Sequence, residues 1–224
     1  ESNNVVYADK AEIGSLQSTD LTLYAVWEIN TYTVTFNGVN VRGSGNATVN
    51  HGSEYTYNLS AVYGYGLPDN VTIVIDGVPL EDGYTYNKES GVITISADKI
   101  TGNVKISASG VINTYTVSFN SNDGSTVDNI TVNHGEKVTA PKAPTKNGYA
   151  FAGWYVGDIA YDFNKAVTAD VALTAKWNAI EYTISYVLNG GTNAGDAITK
   201  FTVESDEITL LAPTREGYSF DGWY

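Results

Sequence analysis

A twelve-residue stretch occurs twice in this chain and constrains its fold more than any other feature. Residues Pro144–Tyr155 return as Pro213–Tyr224, with eight of the twelve positions identical. Both copies contain the pattern Gly-Tyr-x-Phe-x-Gly-Trp-Tyr, which we call the signature stretch. A recurrence of this length within 224 residues indicates a tandem repeat, in which each unit is one small structure that packs against its neighbours. The chain therefore divides more finely than its length alone would suggest.

A second set of matches marks where the units begin. Residues Ile29–Phe36 return as Ile112–Phe119 with one conservative change, and Thr48–Gly52 return unchanged as Thr131–Gly135. Both pairs are separated by 83 positions, which predicts that two units open with the same strands in the same register.

A third match marks where the units end. Residues Asp20–Trp27 align with Asp170–Trp177, and in both segments apolar residues occupy every second position up to the tryptophan. This period of two is typical of a half-buried β-strand. We call each of these segments a closing strand.

The matches predict four parts. Residues 1–29 are the C-terminal half of a repeat, and because they lie at the start of the chain we call them the N-terminal half-repeat. Residues 30–111 form a diverged β-rich unit, which we call the diverged module. Residues 112–178 are a complete repeat (the complete module), and residues 179–224 are the first half of another (the C-terminal half-repeat). The links between these parts hold no Gly/Ser-rich or Pro-rich run, so we expect successive units to be joined stiffly.

The composition favours β-structure. The chain contains 17 Tyr and 22 Gly, with no Cys and no Met, and no segment keeps a helical apolar period for long. The predicted fold class is all-β to α+β, with Tyr161–Val167 the best candidate for a short helical turn. For the diverged module two interpretations stay open, a repeat with extra strands or an immunoglobulin-like sandwich.

The complete module resembles the internalin B-repeat, also called the Listeria–Bacteroides repeat. The resemblance rests on Thr116–Phe119, Asp123-Gly124, Val132–Gly135, the signature stretch and Leu173–Trp177. It covers residues 114–177, the end of a copy in 1–27 and the start of one in 181–224. It implies small β-grasp-like modules in tandem, borne by bacterial surface or secreted proteins, Gram-positive species included, with no catalytic residues and no cofactor.

We expect the aromatic residues of the repeat to form its core. A buried Trp removes about 200 Å² from water, a large contribution for a unit of this size. Glycines beside the aromatic residues suit a bulge or a close backbone approach. The predicted structural core residues are Gly148, Tyr149, Phe151, Gly153, Trp154, Trp177, Trp27 and Trp223.

Several function classes lack support in the sequence. The formal charge of −13 argues against binding nucleic acid or anionic membranes, and no apolar run is long enough to insert into a bilayer. Without cysteine, and with only His51 and His134, the chain offers no metal-ligand or catalytic spacing. We therefore predict a protein that is not an enzyme and binds no metal, with both histidines in structural roles.

Two functions remain. The first is a stalk or spacer that also provides an adhesion or interaction module, located outside the cell and binding a protein or glycan of a host or neighbouring cell. The alternative is a carbohydrate-binding module of a larger secreted enzyme. The candidate glycan contacts are Tyr55, Tyr57, Tyr63, Tyr65, Tyr84 and Tyr86. Because the chain starts at Glu1 without Met, we expect the targeting segments elsewhere in a longer protein.

The two half-repeats suggest head-to-tail self-association. One lacks its opening strands and the other lacks its closing strand, and half a core leaves unpaired strand edges. We therefore expect the C-terminal half-repeat of one molecule to complete the N-terminal half-repeat of the next.

Overall fold

The computed structural model describes residues 22–224, and their backbone is almost entirely β-structure. The helical content of these residues is a single 3-10 turn at Ala97–Lys99. The all-β prediction is thus confirmed.

In chain order the strands are β1 (Thr31–Val39), β2 (Val41–Ser44), β3 (Thr48–Asn50), β4 (Tyr55–Ala61), β5 (Tyr65–Gly66), β6 (Thr72–Ile75), β7 (Val78–Pro79), β8 (Tyr84–Asn87), β9 (Val92–Ile95), β10 (Val104–Ser109), β11 (Val111–Ile112), β12 (Thr114–Asn120), β13 (Ile130–Asn133), β14 (Tyr149–Val156), β15 (Ile159–Ala160), β16 (Val171–Ala179), β17 (Tyr182–Thr183) and β18 (Lys200–Phe201).

The predicted helical turn at residues 161–167 is wrong. This segment forms turns, and no helix is assigned to it. The Asp162 carboxylate accepts a hydrogen bond from the backbone N–H of Asn164, and the Asp162 carbonyl accepts one from the N–H of Lys165. Such local side-chain bonding offers the backbone an alternative to a helix, and here the alternative is adopted.

The complete module contains one five-stranded sheet in the order β13-β12-β16-β14-β15. The closing strand β16 lies in the middle of this sheet. It runs parallel to β12 and antiparallel to β14, which carries the signature stretch. The last strand in sequence, β16, therefore joins the strand pair β12 and β13 to the strand pair β14 and β15.

The diverged module contains a sheet of the same order, β3-β1-β10-β6-β7. Its central pair, β1 and β10, is also parallel. The inserted strands form a second sheet in the order β2-β4-β9-β8, which is antiparallel throughout. Immunoglobulin-like sandwiches are built from two antiparallel sheets, so the parallel pair favours the interpretation of a repeat with extra strands.

The two modules cover their sheets differently. In the diverged module the second sheet packs on the first, and Ile93, Ile95 and Ile106 between them are 0% exposed. The complete module lacks a second sheet, and the connecting segments that carry Val138 and Val167 cover its inner face. The two segments are held together by hydrogen bonds from the N–H of Gly135 to the Val167 carbonyl and from the N–H of Val167 to the Glu136 carbonyl.

A β-bulge explains the spacing of the signature stretch. Phe151 pairs with Trp177 across β14 and β16, but the next pair joins Gly153 to Lys176, so Ala152 is an extra residue. A regular strand would place Phe151 and Trp154 on opposite faces, whereas the bulge puts both in the core with their ring centroids 5.5 Å apart. Gly153 has φ +133°, a conformation that residues with a Cβ rarely adopt.

We predict that Trp154→Ala unfolds the complete module. The side chain is 5% exposed and contacts Phe119 and Phe151, so truncation should cost about 3–5 kcal/mol, most of the stability of so small a unit. In NMR spectra of the whole chain, resonances of residues 114–177 should lose their dispersion while those of the diverged module keep theirs. The matched control is Tyr155→Ala, because that neighbouring ring packs under Lys176 and lies outside the buried core. Preserved dispersion in Trp154→Ala would contradict the assignment of this indole to the core.

Candidate functional site at the joints between modules

The two tryptophans of the complete module have different environments. Trp154 is buried, whereas Trp177 is half-buried at the end of β16. The Trp177 indole Nε1 donates a hydrogen bond of 3.0 Å to the Ser121 carbonyl, and the ring lies so close over Gly124 that a Cβ there would be 2.5 Å from it. Trp177 also packs edge-on against Phe151. It therefore ties the turn after β12 to the other half of the module.

Trp27 does not lie in a core formed by residues 22–224. Its side chain is 88% exposed, and residues 22–30 pair with no strand among the described residues. A closing strand becomes buried only between two partner strands, and none of residues 22–224 supplies them for Trp27. Trp223 is half-buried and packs against Tyr186 and Phe220 within the C-terminal half-repeat.

The six candidate glycan-binding tyrosines do not share one exposed surface. Tyr55 and Tyr57 are 4% and 7% exposed and stack on each other inside the core. Tyr65, Tyr84 and Tyr86 are half-buried, and only Tyr63 is largely exposed. Burial, and to a smaller extent the neighbouring Tyr57, raises the pKa of Tyr55 to about 12. Buried phenol rings cannot stack on a sugar, so Tyr55 and Tyr57 are not accessible as glycan contacts.

The structure instead reveals specific contacts where one module meets the next. We call each such contact a joint. At the first joint, between the diverged and complete modules, His134 packs against Gly64 so closely that a Cβ on this glycine would lie 2.3 Å from the imidazole. Tyr63 meets the same imidazole edge-on at 4.7 Å between ring centroids. The Gly64 carbonyl accepts a hydrogen bond of 3.0 Å from the N–H of Asn113 in the link.

The second joint, between the complete module and the C-terminal half-repeat, has the same construction. Val203 packs against Gly148, where a Cβ would lie 2.0 Å from a Val203 methyl group. The Gly148 carbonyl accepts a hydrogen bond of 2.9 Å from the N–H of Ile180 in the link. The Glu204 carboxylate lies beside the hydroxyl of Tyr149 and raises the pKa of that tyrosine, first through a hydrogen bond.

The two joints correspond residue by residue. Gly64 and Gly148 have φ +85° and +75°, and each precedes a tyrosine that pairs with the link: Tyr65 with Ile112, and Tyr149 with Ala179. In the complete module Tyr115 pairs with Val132, and His134 lies two residues after Val132. In the C-terminal half-repeat Tyr182 pairs with Phe201, and Val203 lies two residues after Phe201. A glycine is required here because it adopts a positive φ and leaves room for the neighbouring side chain.

The joints could not be found from spacing alone. Their partners are far apart in sequence, and a histidine in one joint corresponds to a valine in the other. The signal present was the recurring Gly-Tyr pair at residues 64–65, 148–149 and 217–218. Sequence reasoning assigned Gly148 to the core of its own module and missed its contact with the following one.

The two histidines occupy equivalent sequence positions but have different surroundings. The Nδ1 of His51 and the hydroxyl of Tyr32 are 3.1 Å apart, and the ring is exposed. His134 packs instead between Tyr63 and Tyr115. Within residues 22–224, no group of three or more His, Asp or Glu residues is placed to hold a metal ion, and no helix is long and apolar enough to cross a membrane.

Comparisons with known proteins agree with this architecture. A family model described as the Listeria-Bacteroides repeat domain matches residues 115–176 and 182–224, which confirms the resemblance. Two similar proteins of Evansella cellulosilytica, named "Putative membrane protein" and "Putative Gly-rich membrane protein", are each 34% identical over 91% of this chain. Internalin H of Listeria monocytogenes serovar 1/2a is 36% identical over 42% of the chain. The aligned regions cover 29%, 22% and 18% of these relatives, so the chain spans less than a third of each.

We predict that Gly148→Ala opens the second joint. The added methyl group overlaps Val203 and should cost about 1–3 kcal/mol beyond the backbone cost of the positive φ. The amide of Ile180, which bonds to the Gly148 carbonyl, should then lose its protection from hydrogen exchange. Combining the change with Val203→Ala, which removes the closest methyl group, should restore much of that protection.

The matched control is Gly217→Ala. Gly217 occupies the corresponding position of the C-terminal half-repeat with φ +79°, but no atom lies within 4 Å of a Cβ there. The control carries the same backbone cost without the overlap. Failure of Val203→Ala to restore any Ile180 protection would show that Gly148 matters only for its backbone conformation.

The buried phenol of Tyr55 predicts that the diverged module loses stability in alkali. Because its pKa is higher in the folded state than the ordinary 10.0, its contribution is fully present below pH 10 and is lost as the pH rises towards 12. The loss should be about 1.3 kcal/mol between pH 9 and pH 11 and should approach about 3 kcal/mol above pH 12. Urea unfolding at pH 9 and pH 11 measures it, and Tyr55→Phe should reduce the difference. An identical difference in Tyr55→Phe would assign the effect to other groups.

Proposed function

Residues 115–176 and 182–224 are Listeria-Bacteroides repeats, and from that premise we propose that this chain is a non-catalytic stalk segment of a bacterial cell-surface protein. Its role is to hold successive modules in fixed orientations and to present an interaction surface to a host or neighbouring cell. The names of the relatives, two membrane proteins and an internalin, support the location at the cell surface.

The observation that carries this proposal is the shared construction of the two joints. Each joint combines a backbone hydrogen bond, strand pairing with the link and a side chain packed on a glycine. A flexible linker would need none of these contacts. Because two separate joints share one geometry, we infer that the joints serve to fix the orientation between neighbouring modules.

The diverged module fits the proposal as an enlarged repeat. Its first sheet keeps the strand order of the complete module, and the inserted strands add a second sheet whose outer surface is exposed among residues 22–224. Along β4 the outward residues are the exposed and uncharged Thr56, Asn58 and Ser60, while Tyr55, Tyr57 and Leu59 point into the core. This outer surface is the part of the diverged module that the repeat itself lacks, and we assign the interaction role to it.

We predict a single narrow distance between probes on the two modules joined by the first joint. The chain has no cysteine, so Thr85→Cys and Lys165→Cys provide unique sites for nitroxide labels at exposed positions of the two modules. Pulsed electron resonance on the doubly labelled chain measures the distribution of distances between them. A fixed joint gives one narrow peak.

The matched control inserts Gly-Ser between Gly110 and Val111, at the start of strand β11 in the link. Insertion there should broaden the distribution while both cores remain folded. A broad distribution in the chain without the insertion would contradict the stalk proposal.

A further inference from the structure

The first sheet of the diverged module carries a groove of about 540 Å³ on its outer face, which we call the outer groove. It lies over the adjacent strands β1, β10 and β6, whose alternate residues point into the core on the other side of the sheet. Most of the lining is polar, in contrast to the buried side of the same strands. Its lining includes Thr33, Thr35, Val74, Asp76, Asn103 and Lys105.

The Asn103 side chain fixes one end of the outer groove. Its Nδ2 and its backbone N–H donate hydrogen bonds of 3.1 and 2.8 Å to Oδ1 of Asp76. Its Oδ1 accepts hydrogen bonds of 3.0 and 2.8 Å from the backbone N–H and the hydroxyl of Thr33. Because both ends of the amide group are bonded, this part of the groove has a fixed shape before any ligand arrives.

Two threonine hydroxyls in the outer groove are oriented by the protein as acceptors. The Thr33 hydroxyl donates its hydrogen to Asn103, and the Thr35 hydroxyl donates its hydrogen to the Val104 carbonyl at 3.3 Å. A hydroxyl has a single hydrogen, so both oxygens offer only lone pairs to a ligand. The complementary ligand therefore supplies hydrogen-bond donors, such as hydroxyl groups.

Lys105 gives the outer groove a positive charge that no described residue neutralises. Its side chain is exposed, and it forms no ion pair within residues 22–224. The Asp76 carboxylate, which also lines the groove, is bonded to Asn103 instead. In a chain with a formal charge of −13, this unpaired ammonium is complementary to an anionic group on a ligand.

The position of the outer groove disfavours two other kinds of ligand. Strand β10 pairs with β1 on one side and with β6 on the other, so a peptide strand finds no free edge beneath the groove. A nucleic acid needs several cations along its backbone, and Lys105 is the one cation of the lining. A saccharide needs neither, because its hydroxyl groups are donors and its C–H surface fits a small apolar side chain such as Val74.

We propose that the outer groove is a binding site for a saccharide that carries a carboxylate. The Lys105 ammonium binds the carboxylate. The Thr33 and Thr35 oxygens accept hydrogen bonds from ring hydroxyls, and Val74 contacts the C–H face of a ring. This site lies on a different sheet from the interaction surface assigned to the outer side of β4, so neither assignment depends on the other.

The complete module keeps the geometry of this face but not its charge. Asp170 and Ala172 stand at the positions of Asn103 and Lys105. Oδ1 of Asp170 accepts a hydrogen bond of 2.8 Å from the N–H of Thr116, the counterpart of the bond that Asn103 accepts in the diverged module. An acid thus replaces an amide and an alanine replaces the lysine, so the complete module provides a control within the same chain.

The test is an NMR titration of the whole chain with 3′-sialyllactose and, separately, with trigalacturonic acid. The amide resonances of Thr35 and Lys105 should shift with at least one of these acids, while those of Thr116 and Ala172 should stay in place. The methyl esters keep the hydroxyl groups without the charge, so they should bind about 5-fold more weakly. No shift at the groove with either acid, or equal affinity for acid and ester, would overturn the proposal.

Two matched pairs of variants locate the site. Lys105→Ala should weaken binding about 5-fold, whereas Lys165→Ala removes an exposed lysine of the complete module and should have no effect. Thr35→Val removes an acceptor from the groove and should weaken binding about 3-fold, whereas Thr56→Val changes the outer surface of β4 and should not. All four residues are exposed, so each variant should keep the dispersion of the NMR spectrum. Equal loss from the two threonine variants, or unchanged binding in Lys105→Ala, would overturn the assignment to the groove.

Discussion

The closing strand is the element on which each repeat depends. It lies between the first strand of its module and the signature strand, parallel to one and antiparallel to the other. Its inward residues Leu173 and Ala175 are almost completely buried, and Trp177 holds the turn after β12. Parallel pairing of the first and last strands means that a module acquires its sheet only when both ends of its sequence are present.

The joints between modules follow from the same arrangement. The closing strand leads directly into the link, and the link pairs with the Gly-Tyr segment at the start of the signature strand. The next module begins at a fixed distance from that glycine, so its His134 or Val203 comes to lie against it. One strand therefore completes a core and sets the position of the following module.

Much of this architecture was predictable from sequence because the repeat itself carries the information. The three sets of matches located the opening strands, the signature strand and the closing strand of the complete module, and the period of two gave their β character. The Phe-x-Gly-Trp segment, with a glycine before the tryptophan, also forms the bulge that places both rings on one face.

Other features depend on contacts that no local pattern records. The sequence offers Tyr55 and Tyr57 as candidate glycan contacts, but the packing of the second sheet on the first buries both rings. The joints pair glycines with a histidine and a valine of the following module, which no common motif links. For Trp27, the closing-strand pattern is present, but no strand among residues 22–224 pairs with it, and the side chain is exposed.

Hydrogen exchange of individual amides in the complete module tests the central role of the closing strand most directly. If β16 organises the module, the amides of Leu173 and Ala175 should exchange only through global unfolding and be the slowest of residues 114–177. Exchange of these two amides that is faster than that of β12 or β14, through local opening of the strand, would contradict the account.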